Sequence, residues 1–318
     1  MKAIVCQGDV LQWDDVPVPE CRAGEVLIRV AAAGVSRPDV LQRAGLYQPP
    51  QDASPILGLE VAGHIVSGDL AGCDFAVGDA VCALVHGGGY AQYVAVNAAH
   101  CLPIPAGWSM LEAASLPETF FTVWLNVFDK AALGVRGSEV LLVHAGASGI
   151  GVAAIQMARA LGQTVYATAS AAAKRQACLD FGAAHVFASD DWVDAVAELG
   201  GVDVVLDMLA GDTCFDNIKV LKQGGRLVWI AYLSGRQVKV NVQDVMAKEI
   251  ELTGSFLRRQ STAVKAKIAL DLRQYIWPYL ESGLIRPVID SVFLIQNAAD
   301  AHERMQNKLN IGKIILEV

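Results

Sequence analysis

The sequence predicts an α/β protein with two domains, one β-rich and barrel-like and one built on a doubly wound parallel sheet. Three observations carry that prediction. Residues 139–170 read as an apolar strand, a turn of small residues, a helix of period 3.6 and a second strand. The first hundred residues hold short strands punctuated by Gly and Pro. Beyond residue 170, strands and helices alternate, as in a parallel sheet with crossover helices. A chain of 318 residues, 53% hydrophobic and 18% charged, is long enough to bury two cores.

In chain order, the expected strands of the β-rich part are 25–30, 61–66, 79–84 and 91–96. Ser109 and Glu112 have capping-box spacing, and helical patterning runs from there towards Ala132 with a break at Pro117. The central unit gives a strand at 140–143, a helix from about Gly149 and a strand at 164–169. Further strands are expected at 185–187, 202–207, 225–230 and 249–255. After residue 260 come a long amphipathic helix, a Pro-bounded strand at 287–293, a helix at 298–308 and a strand at 312–318, an end that can rejoin the first domain.

The turn Ala145-Gly146-Ala147-Ser148-Gly149-Ile150-Gly151 is the main functional signal. Small residues let the backbone approach a pyrophosphate, whose charge meets the free N–H groups and positive dipole at the helix start. Ala145 and Ala147 stand where glycines are common, so the turn is a variant of the dinucleotide fingerprint. NAD recognition requires an Asp or Glu about 20 residues on, at the end of the second strand, to accept from the ribose 2′-hydroxyl. Here that strand ends in Ser170, followed by Lys174 and Arg175. A hydroxyl and cations without a carboxylate suit a 2′-phosphate, so NADPH is the expected cofactor.

A net charge of −8 argues against nucleic acid or an anionic membrane as partner. The uncharged run 140–158 has the length of a membrane span, but the turn interrupts it and Arg159 follows. The seven cysteines are scattered, with no C-x-x-C, and read as reduced thiols. Met1 leads directly into a strand-like segment without a signal-peptide pattern, so a cytoplasmic protein is expected.

Seven motifs in order, GVSRPDVLQRAGLYQPP (34–50), PILGLEVAGHIVSG (55–68), VGDAVCAL (77–84), GGGYAQYVAV (88–97), AASLPETFFTVWLNVF (113–128), the HAGASGIG turn and the C-terminal NIGKIILEV, resemble the zinc-independent quinone oxidoreductase branch of the medium-chain dehydrogenase/reductase superfamily. The resemblance spans nearly the whole chain. It implies a GroES-like catalytic domain from residues 1–118 and 261–318, and a Rossmann cofactor domain, 119–260, inserted between them. Zinc-dependent relatives place a thiolate and an imidazole where this chain has Ser36 and Gly58-Leu59-Glu60, so no metal is expected. Glu60 and His64 alone make a poor zinc site. Without a metal the acceptor must already take hydride readily, which a quinone does, and an enal or enone is the alternative.

By the same resemblance, the candidate catalytic residues are Tyr47, Ser36 and Asp39. The Tyr47 phenol can hydrogen-bond the acceptor oxygen. Ser36 and Asp39 shape the loop and hold ribose or nicotinamide groups, unless Asp39 pairs with Arg43 one turn on. Candidate cofactor contacts are Thr122, Ala147, Ser148, Gly149, Ile150, Ser170, Lys174, Met208, Ile230, Tyr232, Phe256, Leu257 and Asn310. The family's Asn-Tyr pair after the strand at 185–187 is replaced by Ala188-Ser189. The alternating segment 249–255 reads as a sheet edge, and the resemblance implies that it pairs in a homodimer. A non-catalytic NADPH-binding protein is the reading from a different class.

Overall fold

The computed structural model describes residues 1–318. The chain opens with the hairpin β1 (Lys2–Gln7) and β2 (Val10–Asp15), followed by β3 (Glu25–Val35), α1 (Arg37–Arg43), β4 (Glu60–Gly68), β5 (Ala80–Leu84), β6 (Tyr93–Asn97) and β7 (Cys101–Pro103). Two short helices, α2 (Met110–Ala113) and α3 (Pro117–Val123), lead into β8 (Val140–Val143), α4 (Gly149–Ala160), β9 (Thr164–Thr168), α5 (Ala172–Asp180) and β10 (His185–Phe187). Then come α6 (Val193–Glu198), β11 (Val202–Asp207), α7 (Thr213–Val220), β12 (Leu221–Trp229), α8 (Val242–Lys248) and β13 (Glu251–Gly254). The last part holds α9 (Thr262–Tyr275), α10 (Trp277–Glu281), β14 (Ile289–Leu294), α11 (Ala298–Gln306) and β15 (Lys313–Glu317).

The chain divides into two compact units: Met1–Phe121 with Arg258–Val318, and Thr122–Leu257. The divisions fall three residues from the expected 118/119 and 260/261. In the first unit, a seven-stranded sheet runs β14-β15-β3-β4-β5-β7, with β6 also paired to β3. β3 organises it because it is long enough, at eleven residues, to pair with β4 over most of its length and with β6 and β15 over its first and last parts. Its alternating Val26, Ile28 and Val30 enter a core shared with Val61, Ile65, Val81, Ile314 and Leu316. The C-terminal strand β15 therefore completes this sheet, pairing Ile314 with Val35 antiparallel.

In the second unit all six strands are parallel, in the order β10-β9-β8-β11-β12-β13. Numbered from β8, this is the 3-2-1-4-5-6 order of a doubly wound nucleotide-binding sheet. Val140-Leu141-Leu142-Val143 is apolar throughout because β8 lies at the sheet's centre, between β9 and β11. In the same sheet, β12 carries Arg226, whose guanidinium binds both oxygens of Glu139 (2.8 and 3.0 Å) and whose Nε donates to Ala131 O at 2.8 Å. Both side chains are buried.

The structure differs from the sequence expectations in three places. The helical stretch after Ser109 is two short helices and then a π-helical segment, Trp124–Lys130, in which Ala131 N reaches back to Asn126 O. The capping box at Ser109 and Glu112 is present. β12 begins at Leu221 rather than 225, because Val202 pairs with Leu221 before the register shifts at Val204. The alternating edge 249–255 contributes only the four residues of β13, since Glu249 takes a left-handed C-cap conformation after α8.

Candidate active site

In the second unit, the turn after β8 and the start of α4 form a cradle of backbone. Ser148 caps the helix, its Oγ accepting from Gly151 N at 3.1 Å. Gly149 and Ile150 are the first two helical residues, so their N–H groups have no acceptor within the helix. Gly151 is required by contact: a Cβ there would lie 2.5 Å from Gly146 O and 2.6 Å from Ala145 O. Ala147 is buried, and Ser148 Oγ lies 3.8 Å from Met208 Sδ, so two of the expected cofactor contacts meet here. This arrangement fits a dinucleotide pyrophosphate.

Below the cradle lies a polar chain that sequence reasoning missed. His144 Nε2 is 2.7 Å from Asn217 Oδ1, His144 Nδ1 is 2.9 Å from Thr168 Oγ1, and Asn217 Nδ2 donates to Asp207 Oδ2 at 3.1 Å. The amide oxygen only accepts, so Nε2 carries the proton and Nδ1 accepts from the threonine hydroxyl. Burial lowers the His144 pKa, in keeping with this neutral tautomer. Asp207 also accepts from the N–H groups of Leu209 and Ala210. The chain ties together the C-terminal ends of β8, β9 and β11, where nucleotides bind in such sheets.

At the end of β9, Ser170 is exposed, and no carboxylate follows. Arg175 folds back, its Nη1 donating to Ser170 O at 2.8 Å, so this cation also terminates the strand. Other expected contacts are distributed around the unit. Thr122 O accepts from Asn126 Nδ2, Ile230 N donates to Asp207 O, and Arg236 lies 5.0 Å over the Tyr232 ring. Leu257 is buried and Phe256 exposed. Asn310 belongs to the first unit, where its amide donates to Gly312 O at 2.8 Å.

In the first unit, Ser36 and Asp39 belong to a buried polar cluster, while Tyr47 is half-buried beside Arg258. Asp39 accepts from Ser36 N (2.8 Å) and Gly58 N (2.9 Å), with the Tyr90 hydroxyl 3.4 Å away. Burial raises its pKa to about 6 against those N–H donors. The alternative pairing with Arg43 is not made, because Arg43 reaches Asp9 instead (2.9 Å). Tyr90 also meets His302 Nε2 at 3.1 Å. Gly58 must be glycine here: its φ is +97°, and a Cβ would lie 2.6 Å from Tyr90 N.

Glu60, fully buried, is paired with Lys313, and Lys313 Nζ also binds Ser36 Oγ (3.1 Å) and Val35 O (2.6 Å). The other Glu60 oxygen accepts from Glu118 N at 2.9 Å. Glu118 is itself half-buried, and its carboxyl pKa is pushed up to about 8, first by burial and then by the nearby Glu60 charge. No group of three or more His, Cys, Asp or Glu side chains is arranged to hold a metal ion. The ammonium of Lys313 is the cation that answers Glu60.

Tyr47 is half-buried, and burial raises its pKa. Arg258 sits over its ring, Cζ 5.7 Å from the centroid. Arg258, Glu118, Lys313, Tyr90 and His302 were all missed from sequence. Only Glu118 left a local trace, a carboxylate behind Pro117 in the otherwise uncharged LPETFFTVW.

Residues 22–106 match the alcohol dehydrogenase GroES-like domain, and residues 149–272 match the zinc-binding dehydrogenase family. The chain is 34% identical over 97% of its length to the polyketide synthase GfsB of Streptomyces halstedii, of which it spans only 5%. It is 32% identical to the quinone oxidoreductase of Mus musculus, covering 95% of this chain and 92% of that one. Among solved structures, the quinone oxidoreductase of Thermus thermophilus, studied also as its complex with NADPH, superposes with a TM-score of 0.84 at 31% identity over both full chains. An NAD-dependent alcohol dehydrogenase superposes with a TM-score of 0.86 at 30% identity, also over both full chains. The chain is thus an oxidoreductase of the medium-chain dehydrogenase/reductase superfamily, and quinone oxidoreductases are among its full-length relatives.

Proposed function

We propose that the chain is an NADPH-dependent quinone oxidoreductase that uses no metal and acts as a cytoplasmic homodimer paired through β13. The observation that carries this reading is the half-buried Tyr47 phenol, a hydrogen-bond donor for a carbonyl oxygen, placed in the unit that holds Ser36 and Asp39. Bound NADPH would supply the hydride. The N–H groups of Gly149 and Ile150 would hold its pyrophosphate, and Ser170 and Lys174 its 2′-phosphate. Tyr47 would orient the acceptor oxygen. Asp39 is read as a positioning residue, since its carboxylate is taken up by Ser36 and Gly58 N–H groups. Ser36 would help to hold ribose or nicotinamide groups.

The test is side-by-side turnover of an ortho-quinone, a para-quinone and an alkenal, each with NADPH and with NADH, followed by loss of nicotinamide absorbance. Quinone reduction with NADPH should be fastest. Faster alkenal reduction would replace the quinone assignment with reduction of activated alkenes, and tight NADPH binding without turnover would make the protein a non-catalytic binder. A preference for NADH would overturn the cofactor assignment alone.

A further inference from the structure

Arg258 is a buried cation with no carboxylate in ion-pair contact. It is 6% exposed, and its guanidinium is held by two neutral acceptors, Gln42 Oε1 (2.7 Å from Nη1) and His86 O (3.1 Å from Nη2), while Nε meets no partner. Two other buried cations are answered directly by acids: Arg226 by Glu139 and Lys313 by Glu60. A guanidinium stays protonated at any working pH, so burying one on neutral acceptors costs stability that a carboxylate would restore. A second buried cation lies beside it, Lys265 Nζ donating to Arg258 O at 3.1 Å, and the carboxyls of Asp39 and Glu118 interact with Arg258 through space without touching it. The aromatic face beside it is the ring of Tyr47, 5.7 Å from Cζ.

We propose that Arg258 is the positioning residue for an oxyanion subsite, its guanidinium stacked on Tyr47 so that the phenol stabilises negative charge formed on the oxygen of a reduced acceptor. The inference rests on the quinone reading and deepens it. When a quinone gains a hydride, two electrons and one proton, one of its oxygens becomes an anion; a proton from water then completes the hydroquinone. A cation fixed behind the phenol ring polarises the O–H towards that oxygen and favours charge where it develops. Gln42 and the His86 carbonyl fix the plane of the guanidinium, so the field needs no rearrangement during the reaction. The subsite suits acceptors whose reduction leaves a delocalised oxyanion, and disfavours acceptors whose reduction leaves none.

Two measurements test this. In kinetics, Arg258→Gln should lower kcat for a para-quinone roughly ten- to a hundred-fold with the KM for NADPH unchanged, and Arg258→Lys should restore part of the loss. In a Tyr47→Phe background the same Arg258→Gln change should cost less than about two-fold, because the phenol it acts through is gone. Equal losses in both backgrounds would overturn the proposal. Gln42→Met keeps the charge and removes one anchor. It should give a smaller loss in the same direction, and a normal kcat in a folded Gln42→Met protein would count against the proposal.

The second measurement needs no turnover. 4-Nitrophenol, whose ionised form is coloured, should bind to the wild-type protein as the anion and at least about ten-fold more weakly to Arg258→Gln. Equal colour and affinity in the two proteins, or no binding to either, would overturn the subsite. If the wild type fails to reduce any quinone yet binds nitrophenolate through Arg258, the quinone reading falls and the anion subsite stands.

Discussion

The turn of residues 145–151 and the cluster around Glu60 are both built for close chemical contact, but from different materials. The turn uses backbone and small side chains drawn from one short stretch of chain, with a neutral His144-Asn217 link beneath it. The cluster uses charges that burial forces to find partners, and those partners are far apart in sequence: Lys313 and Ser36 are separated by 277 residues, Arg258 and Gln42 by 216. A site made of backbone tolerates changes of side chain that leave its shape alone. A site made of buried charge does not, since removing one partner strands the other.

The largest effects should come from stranding a charge in each unit. Lys313→Met leaves Glu60 without its cation, and Arg226→Met leaves Glu139 without its fork; each should cost about 3–5 kcal/mol, read as a lowered denaturant midpoint. The two should separate in turnover per folded molecule. Arg226→Met should leave it near wild type, because Arg226 and Glu139 bind each other and backbone. Lys313→Met should lower it, because Glu60 also holds Ser36 Oγ and Glu118 N. Equal turnover in both variants would break the contrast between a structural pair and a site pair.

Next in size is the pH response of Glu118. Its carboxyl titrates near 8 in the folded protein, well above the ordinary value of 4.5, so the folded state keeps a proton that the unfolded state releases. Stability from this group is complete below about pH 4.5 and is lost as pH rises through about 8. Glu118→Gln, which keeps the shape of the protonated carboxyl and cannot ionise, should match the wild type at about pH 5. It should exceed it by an amount on the order of a few kcal/mol at about pH 9, measured as urea midpoints. The buried histidines and Asp39 titrate within part of that range, but wild type and Glu118→Gln share them, so they cancel in the difference. Burial depresses His100 and His302 to about 4, so their contribution is present above the ordinary value of 6.5 and is lost as pH falls towards 4. A flat difference between Glu118→Gln and wild type across this range would show that solvent reaches the carboxyl.

The contrast between the two regions also explains what could be read from sequence. Strand periodicity placed β8, β9 and β11, and the small residues between β8 and α4 marked the tight turn that leads into the helix, because all of this is local. The return of β15 to β3 was also legible, through the family resemblance of NIGKIILEV. Spacing carried no sign that Lys313 answers Glu60, that Tyr90 bridges Asp39 and His302, or that Arg258 lies on Tyr47. Local spacing did suggest the Asp39 and Arg43 pair, one helical turn apart. It failed because two backbone N–H groups hold the buried carboxylate and Arg43 pairs with Asp9.

A smaller effect tests the choice of cofactor at the edge of the backbone site. Lys174→Ala should weaken NADPH about ten-fold and leave NADH unchanged, by loss of one charge-assisted hydrogen bond to the 2′-phosphate. Titration of both cofactors by calorimetry gives the ratio. Equal weakening of the two would place Lys174 outside the phosphate site and leave Ser170 and the absence of an acid as the only source of preference.

The smallest expected effect probes the turn itself. Ala145 has a φ of +50°, the left-handed region in which a Cβ costs about 1 kcal/mol. Its backbone is nonetheless fixed by what surrounds it: Ala145 O accepts from Ser148 N, and Gly146 N donates to Thr168 O, both at 2.9 Å. Ala145→Gly removes the strain but gives the unfolded chain more freedom, worth about 0.4–1 kcal/mol in the opposite direction. The two terms nearly cancel, so stability should move by less than about 1 kcal/mol and NADPH affinity by less than about three-fold. That near-cancellation is a physical reason why alanine is tolerated at a position where glycine is common. A larger gain in stability would mean that the strain at Ala145 is stored for cofactor binding, and NADPH affinity should then fall as stability rises.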